Sequence, residues 1–185
     1  MKFLPNGISI LRLVLSPCVF VLTYDGHSEK ALILFSVLAL SDALDGILAR
    51  YFRAVTTLGK FLDPVADKSL LFFGLLSITT QTDIRANLLL LQLQVGRDIF
   101  LTVGTLLLRR LNFVPEPSFL GKFTTFILFT TIVVGYLCNI MYTEQLITFF
   151  KILETLSLIL IILSALDYSL RGINFLRGKL IMDRR

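Results

Sequence analysis

The chain has 185 residues, of which 55% are hydrophobic and 16 are Phe. Only 17% are charged, against roughly 25% in ordinary soluble domains, and the mean hydropathy is +0.81. These values exclude a soluble domain that covers its core with charge, and they point to a polytopic membrane protein with lipid over much of its surface. The formal net charge of +5 does not indicate nucleic acid: the cations do not cluster with exposed aromatics, no nucleic-acid module is present, and the positive-inside rule accounts for them.

A bilayer core takes about 20 mostly apolar residues per helix. In chain order, helices are predicted at Ile8–Tyr24, Ala31–Tyr51, Leu58–Thr80, Ala86–Leu108, Phe119–Tyr142 and Leu146–Arg171. Turn or charge signals separate them: Asp25-Gly26, Arg53, Asp83, Pro115-Glu116-Pro117 and Glu144. The first apolar run is expected to be a permanent span rather than a signal peptide. Further membrane-length runs follow it, no small-residue cleavage site is evident, and Pro17 fits poorly before Cys18 in a lipoprotein signal. No repeat or low-complexity tract interrupts the chain. The expectation is one all-α domain over residues 1–185, a bundle of six transmembrane helices.

Lys and Arg set the orientation. Lys2, Arg50, Arg53, Lys60, Arg109, Arg110, Lys122, Arg171, Arg177, Lys179, Arg184 and Arg185 fall on one side, and Lys30, Arg85 and Lys151 on the other. Both termini, and the loops near Arg53 and Pro115, are therefore expected in the cytoplasm. Cys18 and Cys138 follow no metal-ligand spacing and read as buried thiols. His27, the one histidine, reads as a surface residue on the far side.

The segment "SDALDGILARYFRAVTTLGKFLDPVADK" holds the chemistry. Asp42 and Asp45 are three apart and share a helical face, with Arg50 about two turns beyond Asp42. Asp63 and Asp67 are four apart and share a face of the next helix. A short basic loop makes the two helices antiparallel neighbours, so both acid pairs lie near the cytoplasmic surface. Four carboxylates in that space repel unless protons or divalent cations intervene. Acids inside spans are costly and mark function. Oxygen-only ligation selects Mg²⁺ or Mn²⁺ over zinc. The small residues Gly46, Ala49 and Gly59 allow close helix packing. Together with the acids and Arg50 they favour a nucleotide pocket.

The pattern Asp42-x2-Asp45-Gly46-x2-Ala49-Arg50-x8-Gly59-x3-Asp63-x3-Asp67 resembles the motif of the CDP-alcohol phosphotransferase family at every fixed position. "PNGISILRLVLSP", Pro5 to Pro17, resembles the entry segment of the bacterial branch, with Asn6, Arg12 and Pro17 in the expected places and Ser9 where Thr is common. The resemblance covers most of the chain. It implies a six-helix bundle, usually dimeric, that binds two divalent cations, Mg²⁺ or Mn²⁺. Asp42, Asp45, Asp63 and Asp67 would be the metal ligands, and Asp67 the general base. Asp42, Gly46, Ala49, Arg50 and Gly59 would contact the cytidine diphosphate part of CDP-diacylglycerol. An alcohol would attack the β-phosphorus and expel CMP.

The alcohol is read from sparser signals. Arg97 and Asp98 interrupt the fourth apolar run, and an arginine that deep needs an anionic partner. Either Arg97 forms a structural pair with a carboxylate, or it binds the acceptor's phosphate with help from Lys122 and, more weakly, Arg171. The layout resembles phosphatidylglycerophosphate synthases, whose acceptor is sn-glycerol 3-phosphate. It departs from them at Asp98, where Glu is usual, and at Thr124, where a second lysine is usual. Arg-Asp is more like the cardiolipin synthases, which use phosphatidylglycerol. Two other classes fit less well: intramembrane prenyltransferases have more helices and other acid spacings, and a transporter of ions or protons would carry repeats or midplane breaks.

Overall fold

The computed structural model describes residues 4–52, 59–109 and 118–182, with side chains described for 7–41, 62–109 and 118–177. The described residues form six α-helices and no strand: α1 (Leu4–Tyr24), α2 (Ser28–Phe52), α3 (Gly59–Thr80), α4 (Leu88–Arg109), α5 (Phe119–Met141) and α6 (Glu144–Met182). Among the described residues, three helices, α1, α5 and α6, are long and apolar enough to cross a membrane. Asp42 and Asp45 lie in α2, Asp63 and Asp67 in α3, Arg97 and Asp98 in α4, Lys122 in α5 and Arg171 in α6. Large apolar side chains such as Val14, Leu107, Phe119 and Phe126 face outward, as on a surface meant for lipid.

Local chemistry sets the helix ends. Ser118 begins α5: its backbone is extended and its side chain accepts the Gly121 N–H at 2.9 Å. Tyr142, in the left-handed region at φ 49°, ends that helix, and its N–H reaches the Cys138 carbonyl. Asn87 stands before α4 and accepts the Leu89 N–H at 2.9 Å, so α4 starts at Leu88 rather than at Ala86. Helix α6 departs most from the expected bounds, running to Met182 instead of stopping at Arg171. The apolar run ends at Arg171, but no proline follows it and the backbone continues helical.

The core lies where the helices converge on Phe35, Leu75, Ile78, Leu128, Ile132 and Phe150, all essentially inaccessible. Helices α1, α2 and α3 form one packed group and α4, α5 and α6 another, joined through α2–α5, α3–α4 and α3–α5 contacts. Two glycines make the closest approaches possible. A Cβ on Gly74 would sit 2.7 Å from the Phe35 ring, and one on Gly135 would sit 2.9 Å from the Phe150 ring. Hydroxyl pairs pin the helices further: Thr23 with Tyr136 at 2.9 Å and Thr131 with Ser157 at 2.9 Å. Cys138 is buried as expected, whereas Cys18 is only half-buried, because it lies on the side of α1 turned partly away from the bundle.

Candidate active site

The acid end of the molecule is built on α1 and α3. Asp63 and Asp67 lie one turn apart on α3, as their spacing requires. Both meet α1: Ser9 donates its hydroxyl to Asp63, and the Arg12 guanidinium pairs with Asp67. These contacts advance together along both chains, so α1 and α3 run parallel. Arg12 is 1% exposed while Asp67 keeps 39% of its side chain open. A buried guanidinium thus holds a carboxylate that still faces the outside. Asp42, Asp45, Gly46, Ala49 and Arg50 lie on α2, and Gly59 opens α3; the side chains of these α2 residues lie outside the described residues.

Arg12 is the functional residue that the sequence reading left without a role. Its signal was present: a lone arginine in the apolar run "GISILRLVLSP" needs an anion, by the reasoning applied to Arg97.

The second part of the site is a cavity of about 410 Å³ between α3, α4, α5 and α6. Asp67, Arg97, Lys122 and Arg171, far apart in the sequence, all line it. The structure therefore brings the three cations singled out in the sequence to the same hollow as Asp67. The packing explains how. The Ser118 cap fixes the first turn of α5 and with it Lys122. Gly121 makes room for Arg97, whose Nη2 lies 3.6 Å from where a Cβ would stand. Arg171 projects from the part of α6 that packs on α4, where Gly172 meets Leu108.

The three cations differ in freedom. Arg171 Nε sits 3.1 Å from the Asp167 carboxylate and is partly neutralised by it. Lys122 is exposed at the rim. Arg97 is buried, and its Nη1 lies 3.7 Å from Asp98 Oδ1, too far for a hydrogen bond. Asp98 instead accepts from Gln94 Nε2 at 3.2 Å. The Arg97–Asp98 structural pair is thus loose, and Arg97 keeps donors for a ligand. Thr124 has a packing role: it is fully buried, with its hydroxyl 2.7 Å from the Leu120 carbonyl and 3.3 Å from the Leu160 carbonyl. A lysine there would be driven into the α5–α6 contact.

A separate hollow of about 430 Å³ lies at the opposite end, lined by His27, Asp83 and Asn139 among others. His27 is exposed there, as expected. Tyr142 donates to Asp83 at 2.5 Å, a bond that raises the tyrosine's pKa.

Residues 2–168 match the CDP-alcohol phosphatidyltransferase family. The chain belongs to this family. It is 43% identical over 169 residues to a CDP-diacylglycerol–glycerol-3-phosphate 3-phosphatidyltransferase of Aquifex aeolicus, covering 91% of this chain and 94% of that protein. A protein of the same name from Wigglesworthia glossinidia brevipalpis is 40% identical over 78 residues, 40% of this chain and 43% of its own length. A probable phosphatidylglycerophosphate synthase of Mycobacterium tuberculosis is 34% identical over 131 residues, 67% of this chain and 61% of that protein. Membership makes the chain a phosphatidyltransferase of a membrane enzyme family, in keeping with its apolar helices.

The donor chemistry near Asp67 fits hard divalent cations. Asp63 and Asp67 offer carboxylate oxygens, and no His or Cys stands beside them. Among the described residues no three His, Cys, Asp or Glu gather. The described residues supply Asp63 and Asp67; Asp42 and Asp45 would complete the set from α2.

Proposed function

We propose that the protein transfers the phosphatidyl group of CDP-diacylglycerol to sn-glycerol 3-phosphate, giving phosphatidylglycerophosphate and CMP. The observation that carries this is the cavity in which Asp67 faces Arg97, Lys122 and Arg171. A small alcohol bearing a phosphate needs a proton acceptor at one end and cations at the other. The volume of about 410 Å³ falls in the range of small-ligand sites, roughly 300–1,000 Å³. The names of the relatives point to the same acceptor.

In this reaction the C1 hydroxyl oxygen of the acceptor bonds to the β-phosphorus as the bond to CMP breaks. Asp67 takes the hydroxyl proton. Arg12 fixes the Asp67 carboxylate, and Ser9 fixes Asp63. Arg97 and Lys122 bind the acceptor phosphate, with Arg171 adding weaker attraction. Asp42, Asp45, Asp63 and Asp67 would hold two Mg²⁺ or Mn²⁺ ions, which when bound would supply charge neutralisation for the pyrophosphate. Asp42, Gly46, Ala49, Arg50 and Gly59 would receive the cytidine diphosphate. Helix register supports this division. Phe35 of α2 packs on Gly74 of α3, and two turns along the antiparallel pair Asp42 comes level with Asp67.

The proposal includes six spans with both termini in the cytoplasm, a site facing that side, and a homodimer. The positive-inside asymmetry supports the orientation. Purified protein in detergent, given CDP-diacylglycerol and Mg²⁺ or Mn²⁺, should release CMP when sn-glycerol 3-phosphate is added. Release with phosphatidylglycerol and not with glycerol 3-phosphate would make it a cardiolipin synthase instead.

A further inference from the structure

The cavity wall holds a polar group that the proposed reaction does not yet use. Gln94 is 3% exposed and lines the cavity one turn before Asp98 on α4. Its Nε2 donates to Asp98 Oδ2 at 3.2 Å, which fixes which way the amide points. Its Oε1 is buried and has no hydrogen-bond partner among the described residues. Arg97 Nε, three residues on and lining the same cavity, is a buried donor likewise without one. Leaving buried polar atoms unmatched costs stability, and these two are placed where a ligand in the cavity can match both.

Three of the hydroxyls that line the cavity are committed. Thr125 donates to the Gly121 carbonyl at 3.1 Å, and Ser164 to the Ile161 carbonyl at 3.3 Å. Thr105 donates to the Leu101 carbonyl and shares a bond with Tyr168 at 2.7 Å. A ligand hydroxyl matches both atoms: it donates one hydrogen, to Oε1, and its lone pairs accept from Arg97. A phosphate oxygen satisfies the arginine alone.

We infer that Gln94 is a specificity residue, whose Oε1 accepts a hydrogen bond from the secondary hydroxyl of the acceptor alcohol. This inference rests on the proposed use of sn-glycerol 3-phosphate. That molecule carries phosphate at one end, the attacking primary hydroxyl at the other and the secondary hydroxyl between them. With phosphate on Arg97 and Lys122 and the primary hydroxyl at Asp67, the middle hydroxyl faces the wall that carries Gln94. Three separate contacts are also the minimum for telling the two mirror-image glycerol phosphates apart.

The test compares sn-glycerol 3-phosphate with 3-hydroxypropyl phosphate, which lacks the secondary hydroxyl, and with sn-glycerol 1-phosphate. A site built to pair a hydroxyl rejects the analogue without it, so wild-type protein should prefer sn-glycerol 3-phosphate in kcat/KM by about 10- to 100-fold. Gln94→Leu, and the closer volume match Gln94→Met, should bring the two acceptors within about threefold, by loss on glycerol phosphate alone. Discrimination against sn-glycerol 1-phosphate should fall with it. A wild type that uses both acceptors equally overturns the inference without any variant. So does a folded Gln94 variant that keeps the full preference. A wild type that ignores all three phosphates and uses phosphatidylglycerol overturns the proposed function, and this inference with it.

Discussion

The α1–α3 group and the α4–α6 group present their functional residues in opposite ways. In the first, the acids sit at helical spacing within one pair of adjacent helices, and Asp63 and Asp67 each find a partner on α1. In the second, Arg97, Lys122 and Arg171 come one from each helix and meet only because α4, α5 and α6 enclose a common hollow. In the proposed reaction the first group serves the chemistry on the pyrophosphate and the second holds a small anion. Asp67 touches both.

Variants should separate the two groups, beginning with the strongest effect. Asp67→Asn should abolish CMP release, a loss of at least about 10²- to 10⁴-fold, with helical content unchanged by circular dichroism. Near-normal turnover would remove Asp67 as base and blur the division. Arg97→Ala should raise the KM for glycerol 3-phosphate about 10- to 100-fold, as expected for a lost charged hydrogen bond. The KM for CDP-diacylglycerol should stay within about twofold; equal rises in both would place Arg97 with the first group.

Arg12→Met should lower kcat by roughly tenfold, with lower thermal stability, since it removes the buried partner of Asp67. An unchanged kcat would leave Arg12 a packing residue only. Smallest of all, Arg171→Ala should change the acceptor KM by no more than about threefold, because Asp167 already neutralises a half-exposed arginine. A larger change would make α6 an equal partner of α4 in phosphate binding.

The same contrast explains what the sequence made legible. Helical periodicity places Asp63 and Asp67 on one face without reference to any other helix, so the spacing alone sufficed. Six helices followed from apolar run lengths, and the caps at Ser118 and Asn87 account for where two of them begin. The α6 end was misjudged because a membrane-length run and a helix end under different rules. An apolar run stops at the first cluster of charge. A helix stops only where the backbone loses its pattern.

The sequence reading grouped Arg97, Lys122 and Arg171 as candidates for one phosphate, but the cavity's shape and its other lining residues were beyond it, since no local pattern relates residues on three helices. Arg97 stood out as a cation in an apolar run. Gln94, one turn earlier and uncharged, did not, and only the direction of its bond to Asp98 exposes its free oxygen. Arg12 carried the same signal as Arg97, but its partner on α3 became visible only in the packed structure.

Equilibrium binding of radiolabelled sn-glycerol 3-phosphate to purified Asp67→Asn and Arg97→Ala proteins is the most direct test of the division between the two groups. The Asp67 variant, inactive but with Arg97 and Lys122 intact, should bind within about threefold of wild type, while the Arg97 variant should bind at least about tenfold more weakly. Loss of binding in the Asp67 variant with full binding in the Arg97 variant would contradict the account.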